Sequence, residues 1–165
     1  MAPFKSQEEL RKVLDRLFDA LSREPSIGPR LRALRTPQRY VFTDAALVLN
    51  VRDADEKRAR KGQNLVWVWG DAKRTWEPIV TMHMTAAVAN RYLQGKENIP
   101  LAIARKVILL ETGDLAKVLD FLPIVAPYHK TWVSMLKWCR FSSSSVSAKL
   151  VPSSTLPRRS TACAS

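Results

Sequence analysis

The sequence predicts an α+β fold in which a sheet from the middle of the chain is combined with helices from its two ends. Apolar residues recur at helical spacing near the amino terminus and again from residue 85, whereas residues 40–84 hold the alternating and continuous apolar runs typical of strands. Of the 165 residues, 46% are hydrophobic and only five are glycine, which suits one domain with a buried core. We assign that domain to residues 1–140.

The first predicted element is an amphipathic helix over residues 7–23. Ser6 and Glu9 form a capping box at its start, and apolar residues then repeat at intervals of three and four. Pro25 ends the pattern, and residues 27–34 are a candidate for a further short helix. The amino-terminal part of the chain is therefore expected to be helical.

Four strands are predicted next, in two pairs. Residues 40–42 and 47–51 form the first pair, and residues 65–69 and 79–84 form the second. A turn separates the members of each pair, because Asp, Gly and Pro interrupt the apolar runs. Two hairpins are therefore expected to build an antiparallel sheet.

The carboxyl-terminal half is predicted to combine short helices with one strand. A helix starts at Thr85, a second starts at Pro100, and a strand follows at residues 106–111. Asp114 caps a further helix, and residues 128–139 again show helical spacing. Several apolar helices are thus available to cover the sheet.

The pair Gly95-Lys96, between the first two of these helices, does not fit a nucleotide-binding loop. A P-loop needs a glycine five residues before its Gly-Lys pair and Ser or Thr after it, but Asn90 and Glu97 stand there. Gly95 is instead predicted to adopt the left-handed conformation that ends a helix.

The formal net charge of +12 is unevenly distributed. Residues 1–120 hold 21 Lys and Arg against 15 Asp and Glu, and the last 45 residues hold six basic residues and no acidic one. Residues 141–165 also contain nine serines, so we predict a disordered basic tail there. The highly charged segment 52–63 mixes both signs, which favours a solvated loop over a nucleic-acid site.

Targeting signals are not evident in the sequence. No apolar run approaches the ~20 residues that span a bilayer, and residues 1–7 lack the apolar core of a secretory signal. Cys139 and Cys163 indicate neither a disulfide framework nor a metal site. We therefore expect a cytoplasmic protein.

The sequence contains no evident catalytic or metal-binding arrangement. His83 and His129 are its two histidines, and neither lies near a His-x-x-x-His or Cys-x-x-Cys spacing. His83 alternates with Met82 and Met84 in a predicted strand, so it should face away from them. We expect no metal, no cofactor and no enzyme, since an active site would need distant residues that converge in space.

Four short motifs in a fixed order resemble the sterol carrier protein type-2 (SCP2) family. They are Thr81-Met82-His83-Met84, Leu93-Gln94-Gly95-Lys96, Asn98-Ile99-Pro100 and Thr112-Gly113-Asp114. The resemblance covers roughly residues 40–136. It implies a five-stranded mixed, mostly antiparallel sheet that is covered on one face by helices, with an apolar tunnel between the two layers.

The same resemblance implies that the protein binds and transfers lipids, such as a sterol, a fatty acid or a fatty acyl-CoA, without transforming them. The candidate ligand-binding residues are Trp67, Trp69, Val80, Met82, Met84, Val88, Tyr92, Leu101, Ile103, Leu115, Leu119, Leu122, Trp132 and Met135. Each of them also suits an ordinary core, and the direction in which the two strand tryptophans face depends on register.

The chain departs from the family pattern at two places. Arg105-Lys106-Val107 contains no glycine, although the family commonly has one before its fifth strand. The sequence ends in Cys163-Ala164-Ser165 and not in a peroxisomal Ser-Lys-Leu type signal, so peroxisomal targeting is unsupported.

Two other functions stay open at this point, and the sequence indicates no oligomeric state. A nucleic-acid-binding protein would use Lys57, Arg58, Arg60 and Lys61 together with the tail. An accessory domain would dock a partner protein through the last helix and the tail. In the lipid-binding interpretation, the surplus positive charge would assist approach to an anionic membrane.

Overall fold

A computed structural model describes residue 4 and residues 6–130 and 132–133 of the chain. The predicted tail over residues 141–165 and the carboxyl end of the last predicted helix lie outside the described residues. In chain order the elements are α1 (Gln7–Arg23), α2 (Gly28–Ala33), β1 (Gln38–Phe42), β2 (Leu47–Asp53), α3 (Glu56–Ala59), β3 (Leu65–Trp69), β4 (Val80–Met84), α4 (Ala86–Leu93), α5 (Ile99–Ala104), β5 (Leu109–Thr112), α6 (Leu115–Val125) and a 3₁₀ turn (Ala126–Tyr128).

The five strands form one mixed sheet in the order β3-β2-β1-β4-β5. β1 and β4 pair in parallel, and the other neighbours are antiparallel. The mixed sheet expected from the resemblance is confirmed, but the prediction of a second hairpin between β3 and β4 is wrong. The chain crosses from β3 to the other side of β1, where the amides of Ile79 and Val80 donate to the Pro37 carbonyl.

One face of this sheet carries the apolar core. Register places Tyr40 of β1 beside Leu49 of β2 and Met82 of β4, and Val51 of β2 beside Trp67 of β3. Because side chains alternate along a strand, these residues share one face. His83 points to the opposite face, as predicted, and its Nε2 lies 2.6 Å from a carboxylate oxygen of Glu111 on β5.

Capping side chains set where most of the helices begin. The Ser6 hydroxyl accepts from the Glu9 amide, and the Asp114 carboxylate accepts from the Ala116 amide, so both predicted caps are confirmed. Thr85 and Asn98 cap α4 and α5 in the same way. Among the described residues, none of the helices combines the length and apolar character needed to cross a bilayer.

α1 is the most deeply buried helix of the structure. Seven of its residues are buried, and the leucines Leu10, Leu14, Leu17 and Leu21 each have 3% or less of their surface exposed. Its carboxyl end is fixed by Ser22, whose hydroxyl accepts from two backbone amides at the start of β3. The predicted helix over residues 7–23 therefore docks firmly on the β2–β3 side of the sheet.

The other end of the sheet differs from the predictions in two details. The fifth strand begins at Leu109 and not at residue 106, because Lys106 adopts a left-handed conformation with φ of 57° and ends α5. A lysine thus takes the bend for which the resemblance had led us to expect glycine. The segment 52–63, expected to be a solvated loop, contains the short helix α3 with no buried residue.

Candidate functional site

An apolar cavity of about 50 Å³ lies between the sheet and the helices that cover it. Sixteen residues line it, and none of them is Asp, Glu, Lys or Arg. A space of this size holds more than one water molecule, but its walls offer little for water to bind. The cavity is therefore better suited to the apolar part of a ligand than to water.

The wall formed by α1 consists of side chains repeated at helical spacing. Leu14, Leu17, Phe18 and Leu21 all face the cavity, since positions three, four and seven apart lie on one side of a helix. Each is at least 94% buried. The same stripe that anchors α1 to the sheet therefore also encloses the cavity.

The floor of the cavity comes from the three central strands. Tyr40 and Phe42 of β1, Leu49 of β2 and Met84 of β4 reach it from the helix-covered face. Methionine and aromatic rings offer a surface that adapts to apolar partners of different shape. The tyrosine hydroxyl is directed to the side-chain oxygen of Gln38, to which it donates a hydrogen bond.

The remaining walls come from α4, from Phe121 and Val125 of α6, and from the segment that follows α6. Ala89, Tyr92 and Leu93 contribute from α4, and the segment after α6 supplies His129 and the fully buried Trp132. The Trp132 indole donates to Asn90 Oδ1 at 3.3 Å, which ties this segment to α4. This segment therefore covers the carboxyl-terminal side of the cavity.

Gly95 allows this closure because it leaves room for the imidazole of His129. It has φ of 70°, as predicted for a residue that ends a helix, and a Cβ at this position would lie 2.4 Å from His129 Nδ1. Its role is therefore to end α4 and to leave room for the His129 side chain from the segment after α6.

Burial shifts the titration of the polar groups around the cavity toward their neutral forms. It raises the pKa of Tyr40, with a smaller contribution from Tyr92, and it also raises the pKa of Tyr92. It lowers the pKa of the His129 imidazole. At neutral pH these groups offer hydrogen bonds without a net charge.

A second, smaller cavity of about 20 Å³ lies next to the first and shares Tyr40, Met84, Tyr92 and Phe121 with it. Its other walls come from β4, α5 and α6. Among the described residues, the continuous tunnel expected from the resemblance is not seen. Two small apolar spaces on either side of shared aromatic side chains lie where the tunnel was expected.

Five of the predicted ligand-binding residues border these spaces. Met84, Tyr92 and Trp132 line the larger cavity, and Met82 and Leu122 line the smaller one, together with Met84 and Tyr92. They come from β4, α4, α6 and the segment after α6, so the fold brings together residues that are up to 50 positions apart. Whether they contact a ligand stays a prediction.

The other candidates that the structure describes line neither cavity. Val80 and Val88 belong to the core, Leu101 and Leu119 are 44% and 40% exposed, and Met135 lies outside the described residues. Ile103 and Leu115 are partly buried at the edge of the core. The apolar periodicity of the helices and of β4 marks all these positions, but it does not distinguish a side chain beside a cavity from one at the rim of the core.

Trp67 and Trp69 attach α1 to the sheet, and whether they also contact a ligand stays a prediction. Both face the helices, and both indole nitrogens donate to a single carboxylate oxygen of Asp15 on α1, at 2.9 and 2.8 Å. Their rings also pack near Phe18 and Phe42. They therefore join α1 to the sheet and do not line the cavity.

The cavity residues that the sequence predictions missed lie mainly on α1, β1 and β2. Leu14, Leu17 and Phe18 formed part of the predicted amphipathic stripe, and Tyr40 and Leu49 formed part of predicted strands. Sequence periodicity marked the three α1 residues and Leu49 as apolar and inward-facing, and it placed Tyr40 in a strand. It could not show that their inner ends stop short of filling the space.

Other surfaces of the described residues give no comparable site. No group of three or more His, Cys, Asp or Glu among them is placed to hold a metal ion. A wider groove of about 450 Å³ beside α2 and α3 is polar, and its charges are largely paired, for example Arg32 with Glu56. Arg58 is likewise paired with Asp55, at 3.0 Å.

Comparison with known proteins supports the fold assignment. No protein family model and no curated protein sequence matches this chain. The inverting sec-alkylsulfatase Pisa1 from a Pseudomonas species matches with a TM-score of 0.52 and 20% identity, over 67% of this chain and 16% of the sulfatase. UbiJ-SCP2, a ubiquinone synthesis protein, matches with a TM-score of 0.52 and 15% identity, over 71% of this chain and 92% of UbiJ-SCP2.

The structural matches to Pisa1 and UbiJ-SCP2 show that the fold is similar. The chain spans about a sixth of the length of Pisa1 and nearly all of the UbiJ-SCP2 domain. It has the SCP2-like fold that its motifs resemble, with a five-stranded mixed sheet and helices on one face.

Proposed function

We propose that this protein binds a lipid through its hydrocarbon chain, in the apolar cavity between α1 and the sheet, and does not transform it. The observation that carries the proposal is a cavity without any Asp, Glu, Lys or Arg in its lining, inside an SCP2-like fold. Each methylene that enters such a space from water gains about 0.8 kcal/mol. Binding would therefore need few polar contacts.

The size of the cavity implies that binding involves movement. A volume of about 50 Å³ admits only a few carbon atoms, so a longer chain must displace part of a wall. α6 is the wall best suited to move, because Pro123 lies inside it and cannot donate to the Leu119 carbonyl. We infer that α6 and the segment after it open to admit the hydrocarbon and then close over it.

Two proteins of similar fold have names that refer to an alkyl sulfatase activity and to ubiquinone synthesis. We carry over to this protein only the binding of a hydrocarbon chain. A net charge of +12 also favours approach to anionic lipid surfaces, where each nearby Lys or Arg contributes about 1 kcal/mol.

Native mass spectrometry of the full-length protein, purified from cells without detergent, tests the proposal directly. We expect co-purified lipid, and we expect added hydrocarbon ligands to displace a fluorescent apolar probe such as Nile red. The proposal would be contradicted if no lipid co-purified and the probe did not bind.

A cavity-filling substitution locates the site. Ala89→Leu places extra methyl groups into the cavity from α4, and we expect it to weaken probe binding by about tenfold or more. Ala87→Leu is the matched control, because Ala87 lies on the same helix but borders neither cavity. Equal effects of the two substitutions would argue against binding at this cavity.

A further inference from the structure

Exposed apolar side chains cluster in one short segment of the chain. Among the described residues, five large hydrophobic side chains are exposed, and three of them lie within residues 101–109. These are Leu101, Val107 and Leu109, and each is at least 42% exposed. Val107 and Leu109 flank the fully buried Ile108, so both point outward. Single exposed apolar residues are normal, whereas a group of them marks a surface that meets a partner or a membrane.

The turn that ends α5 brings two of these side chains together. The Val107 amide donates to the Ala102 carbonyl at 2.8 Å, and the Lys106 amide donates to the Ile103 carbonyl at 2.9 Å. These two hydrogen bonds define a Schellman turn, which folds the residue at the position of Val107 back toward the last turn of the helix. Leu101 lies in that turn of the helix, next to Ala102.

The charges of the same segment all have one sign. Residues 98–110 contain Arg105 and Lys106 and no Asp or Glu. Both basic residues are exposed. Neither forms an ion pair within the part of the chain that the structure describes. Two cations are therefore available to an anionic partner, directly beside exposed aliphatic side chains.

The other basic connection of the sheet, residues 54–64, lacks this combination. It holds four basic residues, but Asp55 pairs with Arg58, and Glu56 pairs with Arg32. None of the exposed large hydrophobic side chains lies there. The segment after α5 thus differs from an ordinary solvated basic loop.

The backbone of Lys106 gives a separate indication. Its φ of 57° is left-handed, a conformation that glycine adopts without strain and that is unfavourable for lysine. A residue that is kept in an unfavourable conformation points to a function for its side chain. Here the side chain is a cation beside an apolar group, and basic residues next to apolar ones are typical of surfaces that bind anionic membranes.

We propose that residues 101–109, which we call the α5 turn, dock this protein on an anionic phospholipid bilayer. The three exposed aliphatic side chains enter the boundary between headgroups and acyl chains. Arg105 and Lys106 bind the lipid phosphate groups. A bilayer supplies hydrocarbon and negative charge side by side, which matches both components of the turn.

The α5 turn also lies beside the helix that we propose to open. Ile99 of α5 and Val118 of α6 line the same small cavity. Docking therefore brings α6 close to the bilayer, from which a hydrocarbon chain can enter. The docking itself does not depend on a ligand in the cavity, and only this last consequence rests on the function proposed above.

Sedimentation of the full-length protein with phospholipid vesicles tests the docking. The vesicles contain phosphatidylcholine with or without phosphatidylserine, at about 150 mM salt, where charges more than about 8 Å apart are largely screened. We expect wild type to bind the phosphatidylserine vesicles more tightly. The six basic residues after residue 120 are present in every variant below, so their contribution to binding cancels in the comparisons.

Charge removal at the turn should have the largest effect. The double variant Arg105→Gln, Lys106→Gln should bind phosphatidylserine vesicles about 25-fold more weakly, since each basic residue at an anionic surface contributes about fivefold. Arg60→Gln with Lys61→Gln is the matched control. Those residues lie between β2 and β3, at the opposite edge of the sheet from β5, and their loss should change binding by about twofold or less.

An apolar substitution tests insertion into the bilayer. Leu101→Ser should weaken vesicle binding by about fivefold, because part of a leucine side chain no longer leaves water. Ile79→Ser is the control, since Ile79 is 46% exposed and lies outside the α5 turn, and it should bind like wild type.

Lys106→Gly separates docking from folding. Glycine relieves the left-handed strain, so urea unfolding should show a protein at least as stable as wild type. The same variant should bind phosphatidylserine vesicles about fivefold more weakly. A residue with a merely structural role would not give a stable protein with weakened docking.

The outcomes separate this inference from the proposed function. The docking inference is overturned if wild type does not sediment with phosphatidylserine vesicles, if the two double variants lose binding equally, or if Lys106→Gly binds like wild type. It is also overturned if Leu101→Ser alters self-association in light scattering and leaves vesicle binding unchanged, because the turn would then join copies of this chain. Binding of Nile red without vesicles tests the cavity alone, and it should be the same in all these variants.

Discussion

The two halves of the helical layer hold the sheet in different ways. α1, on the β2–β3 side, buries seven of its 17 residues and is joined to the sheet by hydrogen bonds that Asp15 and Ser22 accept from β3. α6, on the carboxyl-terminal side, buries three of its 11 residues and contains Pro123. We therefore call the first half the fixed wall and, following the opening of α6 proposed above, the second half the movable wall.

The cavity lies where the two kinds of wall meet. Its α1 side presents leucines that are held in place, and its other side presents Phe121, Val125 and the aromatic residues after them. Regions with few buried apolar contacts open at lower free energy than the core does. A binding site at this boundary can therefore admit a chain without disturbing the elements that keep the protein folded.

We expect the largest difference between the two halves when one leucine in each is replaced by alanine and the free energies of unfolding are compared. Leu10 of α1 is 1% exposed and lines neither cavity, so Leu10→Ala should lower the free energy of unfolding by about 2–5 kcal/mol. Leu119 of α6 is 40% exposed, and Leu119→Ala should change it by about 0.5 kcal/mol or less.

Urea unfolding followed by circular dichroism measures both variants against the wild type. If Leu119→Ala proved as destabilising as Leu10→Ala, α6 would belong to the fixed part of the structure. The comparison between the two walls would then fail.

The next effect concerns the polar attachment of α1. Asp15→Ala leaves the indole N–H groups of Trp67 and Trp69 without their acceptor, which should cost about 1–3 kcal/mol. Asp15→Asn keeps a side-chain oxygen and should recover most of this loss. Both are measured by urea unfolding with tryptophan fluorescence, which also reports the environment of the two indoles.

Asp19→Ala is the matched control for Asp15 on the same helix. Asp19 makes an exposed ion pair with Arg23, at 2.8 Å, and such pairs contribute about 0–1 kcal/mol. An Asp15→Ala variant as stable as Asp19→Ala would show that the two indole hydrogen bonds do not fix α1 to β3.

Sequence patterns predicted the fixed wall better than the movable one. The helix over residues 7–23 and the strand over residues 65–69 coincide with α1 and β3, because strong periodicity and caps mark both in the local sequence. The hydrogen bonds from Trp67 and Trp69 to Asp15 could not be predicted, since they join residues more than 50 positions apart. Local pattern carries no information on such pairs.

The sheet order and the cavity depended on long-range contacts in the same way. Adjacent strands in the sequence suggested a hairpin between β3 and β4, whereas β4 pairs in parallel with β1. The resemblance to the SCP2 family supplied the mixed sheet that the local patterns had missed. Neither source indicated that Tyr40, Leu17 and His129 would share a cavity, because a small unfilled space depends on how side chains pack.

The smallest effect tests how firmly the movable wall rests on α4. Gly95→Ala introduces a left-handed alanine and a Cβ that would lie 2.4 Å from His129 Nδ1. Gly62→Ala introduces a similar alanine, at φ of 76°, with nothing within 4 Å of its Cβ. The strain of a left-handed alanine costs about 1–2 kcal/mol in both variants. The difference between their free energies of unfolding therefore reports the contact with His129 alone.

If the segment that carries His129 moves readily, it yields to the new methyl group, and Gly95→Ala should be less stable than Gly62→Ala by only about 1 kcal/mol or less. Thermal unfolding by calorimetry gives this difference. A gap of about 3 kcal/mol or more would mean that the imidazole is held as rigidly as a core residue. The cavity would then be closed by a fixed wall on both sides, and a long hydrocarbon would have no route in past α6.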